Sequence, residues 1–430
     1  VMSLLAAALF LLLMVGGVPL YAALLAAGSL AIYQTGGWEL LRVVPQQFFG
    51  GMDAFSLMAI PLFVLSGNLM NRSGLTDRLI DFSRLLVGPV RGGLGYVNVL
   101  GSVILAGVNG SAAADASALG ALLIPAMEKE GFPRAYAAGL TAGSSLIGPI
   151  IPPSIFMILY SALTNTSVGG LFAAGILPGL VLALAFLILN ALFCRRHGVP
   201  RTDVSELKGR RAAILRRAVA ALAAPLIIIG GIVAAIVTPT ESGALAVAYC
   251  LAVGFFVTGD LTLKGAASAL YETARLTSAI FLIMGAASVV GWYLKWERVG
   301  ARIAEALVGL GLLDEPRLLL VVISLIVFAV GMFMEEVAVL TLLTPLFAPL
   351  AARAGIDPYH FGIVMTLNVT IALITPPVGA CNYIVAAVGK VPLGELFRAI
   401  WPFVAVALVV LSLLIFFPAL TVTLPRLLGF

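Results

Sequence analysis

The stretch SSLIGPIIPPSI, residues 144–155, places three prolines, a glycine and three serines inside a run otherwise apolar enough for a membrane span. A second stretch, NVTIALITPPVG at 368–379, repeats the double proline in the other half of the chain. Proline has no N–H, and its ring prevents the preceding helical turn from closing. In hydrocarbon each backbone group left unpaired costs several kcal/mol. A lone proline reads as a kink. Two matched double prolines read as breaks whose freed groups meet an ion, a substrate, water or neighbouring protein.

The whole chain supports a membrane setting. Its 430 residues are 61% hydrophobic and only 10% charged, against about 25% charged in soluble proteins. The mean hydropathy is +1.13. A net charge of +5 is no sign of nucleic-acid binding, because the basic residues lie in short loops between apolar runs, where they report topology. Cys194, Cys250 and Cys381 lie in separate apolar segments, and His197 and His360 are far apart. Neither a disulfide nor a transition-metal site is expected. The N-terminal run VMSLLAAALFLLLMVGG lacks a basic leader and a clear cleavage site, so it is expected to be a first span rather than a signal peptide.

Sliding the sequence on itself by the offset from Pro152 to Pro376, 224 residues, aligns more than the prolines. Gly67 falls on Gly291, Arg78 on Arg302, Gly107 on Gly331, Pro125 on Pro349 and Gly131 on Gly355. The chain therefore reads as two copies of one design. Residues 1–160 form the first, with a surface arm at 38–53, an interrupted apolar segment at 93–128 and a broken span at 134–160. Residues 161–217 hold a linking span and a basic loop. The second copy, 218–388, has its arm at 262–277, its interrupted segment at 317–351 and its broken span at 358–388. Residues 389–430 add a closing span.

The loop at 195–217 carries eight lysines and arginines against Asp203 and Glu206, which makes it cytoplasmic. If 93–128 and 317–351 are re-entrant hairpins, counting spans outward from the loop puts 18 of the 25 lysines and arginines on the cytoplasmic side. Simple crossings would lose that agreement. The fold expected is an all-α polytopic membrane protein: two inverted repeats, two re-entrant helical hairpins, one from each side, and two broken helices.

Secondary transporters place discontinuous helices at a midplane site, where helix N-termini face anions and freed carbonyls hold cations. The first hairpin tip reads GVNGSAAADAS (107–117), in which Asn109 and Ser111 offer hydrogen bonds and small residues allow a tight turn or close helix packing. The second tip, GMFMEEVAVLT (331–341), holds Glu335 and Glu336. A carboxylate at membrane depth points to function, although a short solvent-facing turn also fits. Asp115 reads as a buried group or as a helix cap, not as a ligand. Ser154 and Thr375 add hydroxyls at the breaks. Oxygen ligands without thiolate or imidazole suit Na+. No catalytic triad, phosphate-binding glycine loop or zinc pattern is present, which leaves no enzyme reading.

The motifs PLFVLSGNLMNRSG (61–74), GSVILAGVNGSAAADASALGALLIPAM (101–127), GLTAGSSLIGPIIPPSI (139–155), TPTESGA (238–244), GMFMEEVAVLTLLTPLFAPLA (331–351) and NVTIALITPPVG together resemble the large membrane subunit of a tripartite ATP-independent periplasmic (TRAP) transporter. The resemblance runs over essentially the whole chain. It implies a bacterial inner-membrane protein with an elevator-type scaffold and transport domain. It further implies Na+-driven import of carboxylates such as C4-dicarboxylates or sugar acids, with a periplasmic substrate-binding protein and a small four-span membrane subunit as partners. That small subunit is fused to the large one in some members. Because this chain starts at the first large-subunit span, the small subunit is expected to be a separate polypeptide.

Carried onto this sequence, the resemblance implies one Na+ site near Asn109, Gly148, Ile151 and Pro153. It implies a second near Gly331, Ala372, Thr375 and Pro377, with substrate near Asn109, Ser111, Ser154, Glu335 and Glu336. No arginine lies in either tip or break to pair with a substrate carboxylate. A stand-alone Na+/carboxylate carrier of related fold is the main alternative. A passive channel with re-entrant loops is a weaker one.

Overall fold

The structure is a computed structural model that describes residues 4–201, 211–234, 236–309 and 311–430. Lys208 and Arg210 of the basic loop, on which the orientation count drew, lie outside the described residues. The side chain of Asn109 does too, although its backbone ends a described helix. Among the described residues the chain is helical from end to end, with a single isolated β-bridge between Arg91 and Arg201.

Six helices are long and apolar enough to cross a membrane: Val168–His197, Arg211–Val233, Pro239–Thr258, Leu263–Trp296, Glu336–Arg353 and Leu393–Phe416. Val43–Gly50 and Phe55–Arg72, bent by 56°, together make a seventh candidate. Length and composition are not sufficient to identify a crossing, and Glu336–Arg353 shows why. It is the second arm of a hairpin whose first arm is Pro316–Gly331. The other hairpin pairs Gly93–Asn109 with Ala112–Lys129. At about 1.5 Å per residue such arms reach roughly 25 Å, short of a hydrocarbon core about 30 Å thick.

The two broken helices supply the frame around the hairpins. The first consists of Arg134–Ser145 and Ile155–Thr164, the second of Pro358–Ala372 and Ala380–Gly389. The second arm of the first hairpin packs on Arg134–Ser145 and on Ala380–Gly389. The second arm of the other hairpin packs on Pro358–Ala372 and on Ile155–Thr164. Each hairpin thus meets the entering half of its own broken helix and the leaving half of the other. That exchange arises only when the two broken helices run in opposite directions through the same layer.

Contacts at the helix ends agree with the grouping of residues by side drawn from the sequence. On the side assigned to the cytoplasm, Arg72 pairs with Glu272 at 2.6 Å and Arg78 with Asp260 at 3.1 Å. The Gly92 N–H donates to the Pro200 carbonyl at 2.9 Å, and the Arg134 Nε donates to the Gly389 carbonyl at 2.8 Å. On the opposite side the Tyr160 hydroxyl donates to the Pro358 carbonyl at 3.1 Å, and Arg426 lies 3.7 Å from Asp357. Each of these pairs joins residues that the span count puts on one side.

The surface arms differ from the segments read in the sequence. Residues 262–277 do not stand apart from the following span; they begin the single 34-residue helix Leu263–Trp296. At roughly 1.5 Å per residue this helix is about 50 Å long, so it overshoots the hydrocarbon core. The first arm is the end of Leu20–Leu40, kinked at Gly36 and Gly37, followed by Val43–Gly50. Leu263–Trp296 packs on Leu20–Leu40, Val43–Gly50 and Ala59–Arg72, joining the two copies into one frame.

Candidate functional site

The first break is dry. Every residue from 146 to 160 is buried. Its N–H groups are used locally: those of Ile147 and Gly148 donate to the Ser144 and Ser145 carbonyls at 3.0 and 3.1 Å, and those of Ile150 and Ile151 donate to the Ile147 carbonyl. Prolines 149, 152 and 153 have no N–H to give. Among the described residues no donor reaches the carbonyls of residues 148–153. A buried acceptor without a partner costs about 1–3 kcal/mol, so this loop is a cradle of oxygens suited to a small cation. Ile151 packs its side chain on Gly179 of the linking helix Val168–His197, and the Ile150 carbonyl lies against Gly175.

The first hairpin tip is pressed onto that cradle. Gly110 turns the chain with φ +57°, a left-handed conformation that glycine adopts freely. A Cβ there would collide with the Pro153 carbonyl oxygen and lie 3.1 Å from the Ser154 Cα. Further back, Ser144 donates to Asn98 Oδ1 at 3.1 Å and accepts from Ser102 at 3.0 Å, while Asn98 Nδ2 donates to Thr141 at 2.7 Å. This fully buried network ties the hairpin arm to the broken helix.

The second break shares the outline but not the environment. Both Pro–Pro peptide bonds are cis. The Cys381 N–H donates to the Leu373 carbonyl at 3.1 Å, and Asn382 Nδ2 donates to the Ile374 carbonyl at 2.7 Å, so part of this loop is stitched shut. Thr375 is buried and its hydroxyl donates to the Ile371 carbonyl at 2.8 Å. Pro377 and Val378 are exposed. The approach of tip to break is again close: a Cβ on Gly331 would sit 2.8 Å from the Ala372 Cβ. Asn368, the repeat counterpart of Ser144, donates to the Ser324 carbonyl of the hairpin arm at 2.9 Å.

Three of the side chains proposed from sequence for substrate serve as helix caps. Ser111 Oγ accepts from the Ala114 N–H at 3.5 Å, Ser154 Oγ from the Met157 N–H at 3.3 Å, and Glu335 Oε2 from the Ala338 N–H at 3.2 Å. Glu335 is exposed and Glu336 half-buried. Ser111, Ser154 and Glu335 cap the helix N-termini at 112, 155 and 336, and a fourth N-terminus, at 380, lies beside the second break without a side-chain cap. A helix start carries partial positive charge that suits an anion; the starts at 112 and 155 hold no carboxylate cap, whereas the one at 336 already faces Glu335.

Two residues that the sequence reading did not assign to a site, Asp115 and Cys381, lie where these parts meet. Asp115 is fully buried, and a Cβ on Gly148 would sit 2.7 Å from its Oδ2. Cys381 is fully buried near the start of Ala380–Gly389, the helix that packs on the second arm of the first hairpin and on Arg134–Ser145. The first hairpin and both broken helices are thereby joined. The sequence did carry a signal for Asp115, an acid four residues after the capping Ser111 in an apolar arm, but nothing in it pointed to Cys381.

The chain matches the family model described as "Tripartite ATP-independent periplasmic transporter, DctM component" over residues 7–420. It is 38% identical over 390 residues to the sialic acid TRAP transporter large permease protein SiaM of Vibrio cholerae, covering 90% of each chain. It is 37% identical over 391 residues to the C4-dicarboxylate TRAP transporter large permease protein DctM of Pseudomonas aeruginosa, covering 91% of each. Its fold resembles that of the YdaH transporter of Alcanivorax borkumensis, with a TM-score of 0.62, 15% identity and 89% of each chain covered.

Proposed function

The chain belongs to the DctM-component family of tripartite ATP-independent periplasmic transporters, and from that premise we propose that it imports a carboxylate-bearing small molecule by coupling to Na+. It is a multi-pass subunit of the bacterial inner membrane and not an enzyme. The observation that carries the reading is the first break, where no donor among the described residues reaches the carbonyls of residues 148–153, beside the helix start at 155.

In this reading Na+ is cargo held by backbone oxygen. The carbonyls of residues 148–153 surround one cation, with the Asp115 carboxylate supplying countercharge beside Gly148. The pseudo-symmetric cation lies near Gly331, Ala372, Thr375 and Pro377. The carboxylate of the substrate is held by N–H groups at the helix starts capped by Ser111 and Ser154, which explains recognition without an arginine. Two of its relatives are named for chemically different acids, a sialic acid and C4-dicarboxylates. A site built mainly from backbone dipoles fits that breadth, because it reads the shared carboxylate rather than the rest of the molecule.

The transport step is a sliding of the hairpins and broken helices past the frame made by residues 4–87 and 211–309. A periplasmic substrate-binding protein delivers the cargo, and a small membrane subunit buttresses the frame. The test is uptake of labelled carboxylates into proteoliposomes holding this chain with its small subunit, with and without an inward Na+ gradient and the binding protein. Uptake that needs both supports the full reading. Uptake that needs Na+ alone makes the chain a stand-alone carrier, and uptake that ignores Na+ removes the cation from the cradle.

A further inference from the structure

An apolar fissure runs along the outer face of the second hairpin, where Glu336–Arg353 packs against Leu263–Trp296. It consists of cavities of about 460, 400 and 210 Å³. The first shares Lys295, Pro345 and Pro349 with the second and Leu294, Leu342 and Leu346 with the third, so the three adjoin along one line of helix contact. All three open to the surface. A groove of this extent leaves apolar wall uncovered by protein; the first and third cavities are walled mainly by hydrocarbon, and Tyr160, Thr164 and Thr166 add hydroxyls to the second.

The mouth of the fissure is different. Lys295, Arg298 and Arg353 line it, all three exposed. No ion pair to any of them is present among the described residues. They are three of the seven lysines and arginines that the span count leaves on the periplasmic side, where such residues are normally sparse. Arg298 also sits in the left-handed region, with φ +52°. At the matching turn of the first copy, 224 residues earlier, stands Gly74 with φ +67°. Bulky residues rarely accept that conformation. The second copy holds an arginine where the backbone favours glycine, so the side chain has a use that the turn itself does not supply.

We propose that the fissure binds a glycerophospholipid of the periplasmic leaflet. Its phosphate lies among Lys295, Arg298 and Arg353, and one acyl chain lies between Leu294 and the Leu342–Leu346 face of the hairpin. Basic side chains at the headgroup level attract phosphate. The first cavity behind them is walled mainly by Leu294, Leu342, Leu346 and Leu350 and suits a hydrocarbon tail, while the hydroxyls of Tyr160, Thr164 and Thr166 lie in the adjoining one. A fluid tail at this contact fills the gap without locking the hairpin into complementary side-chain packing, so the hairpin stays free to move against the helix.

The test is native mass spectrometry of the full-length chain released from nanodiscs of phosphatidylcholine doped with phosphatidylglycerol or phosphatidylethanolamine. The wild type is expected to retain one doped phospholipid. Lys295→Gln, Arg298→Gly and Arg353→Gln combined should lower its occupancy at least tenfold. Arg298→Gly alone, which suits the backbone, should lower it several-fold. Leu346→Trp, which fills the space and leaves the cations intact, should also expel it, whereas Arg42→Gln should not. Unchanged retention in the triple variant or in Leu346→Trp overturns the proposal. So does a cysteine crosslink from position 346 that captures the small membrane subunit in the fissure.

Discussion

Gly110→Ala isolates the contact between the first hairpin tip and the first break. Gly110 has φ +57°, and an L-residue in that region costs about 1–2 kcal/mol. The added Cβ has no room. It meets the Pro153 carbonyl oxygen, and behind it the Pro153 carbonyl carbon at 3.0 Å and the Ser154 Cα at 3.1 Å. These are backbone atoms, which cannot rotate aside as a side chain would, so the tip must withdraw from the carbonyls of residues 148–153. If the cation is held only with the tip seated, the turn penalty alone weakens its binding by roughly 5–30-fold, at 1.4 kcal/mol per factor of ten. The assay is the Na+ concentration for half-maximal uptake in proteoliposomes. Gly230→Ala serves as the control, because its Cβ would find open space within a helix. Wild-type Na+ dependence in Gly110→Ala would refute the claim that the tip closes the cation cradle.

Pro153→Ala adds an N–H to the buried break and lets its carbonyls re-pair; uptake should fall at least tenfold with membrane levels unchanged, while Pro377→Ala, at an exposed position, should lose less. Glu335→Gln keeps an oxygen for the Ala338 N–H and removes only the charge, whereas Glu335→Ala also removes the cap, worth about 0.5–2 kcal/mol. Reduced Na+-driven uptake with an unchanged Tm in Glu335→Gln would identify the charge as functional; a wild-type rate would leave the residue as a cap alone. Ser144→Ala leaves Asn98 Oδ1 and the Ser102 hydroxyl without their partner in a fully buried network. It should cost about 1–3 kcal/mol, read as a lower Tm, and an unchanged Tm would show that the network relaxes freely.

The large features of the fold were legible because membrane physics leaves few options. Once Pro152-Pro153 and Pro376-Pro377 are recognised as breaks, the arginine count orients the chain and the hairpins follow. What stayed hidden depends on packing between distant segments. The exchange of halves between the two broken helices puts Ala380–Gly389 on the first hairpin, and nothing local to either segment encodes that pairing. Cys381 reads as an apolar residue until its N–H is placed on the Leu373 carbonyl across the second break. The arm at 262–277 is continuous with the span that follows, because amphipathic composition changes near residue 278 while the helix does not. Ser111 and Ser154 illustrate the opposite case: small polar residues at a break were legible as site candidates, but their capping role needed coordinates.

The two copies share a backbone plan and differ in chemistry, and the differences fall on positions that match across the repeat. The first tip begins its second arm with Ser111, the second with Glu335. The first break is wholly buried and its carbonyls 148–153 meet no donor among the described residues, whereas the second is partly stitched by Cys381 and Asn382 and exposes Pro377. Gly74 fills a left-handed turn that Arg298 fills in the other copy. Inversion alone would give a carrier with equivalent faces. Here one half presents a buried oxygen-lined break while the other presents an exposed acidic tip, with Glu335 and Pro377 both open to the surface. The repeat thus fixes the backbone plan of each half, and the side chains make the two halves chemically unequal.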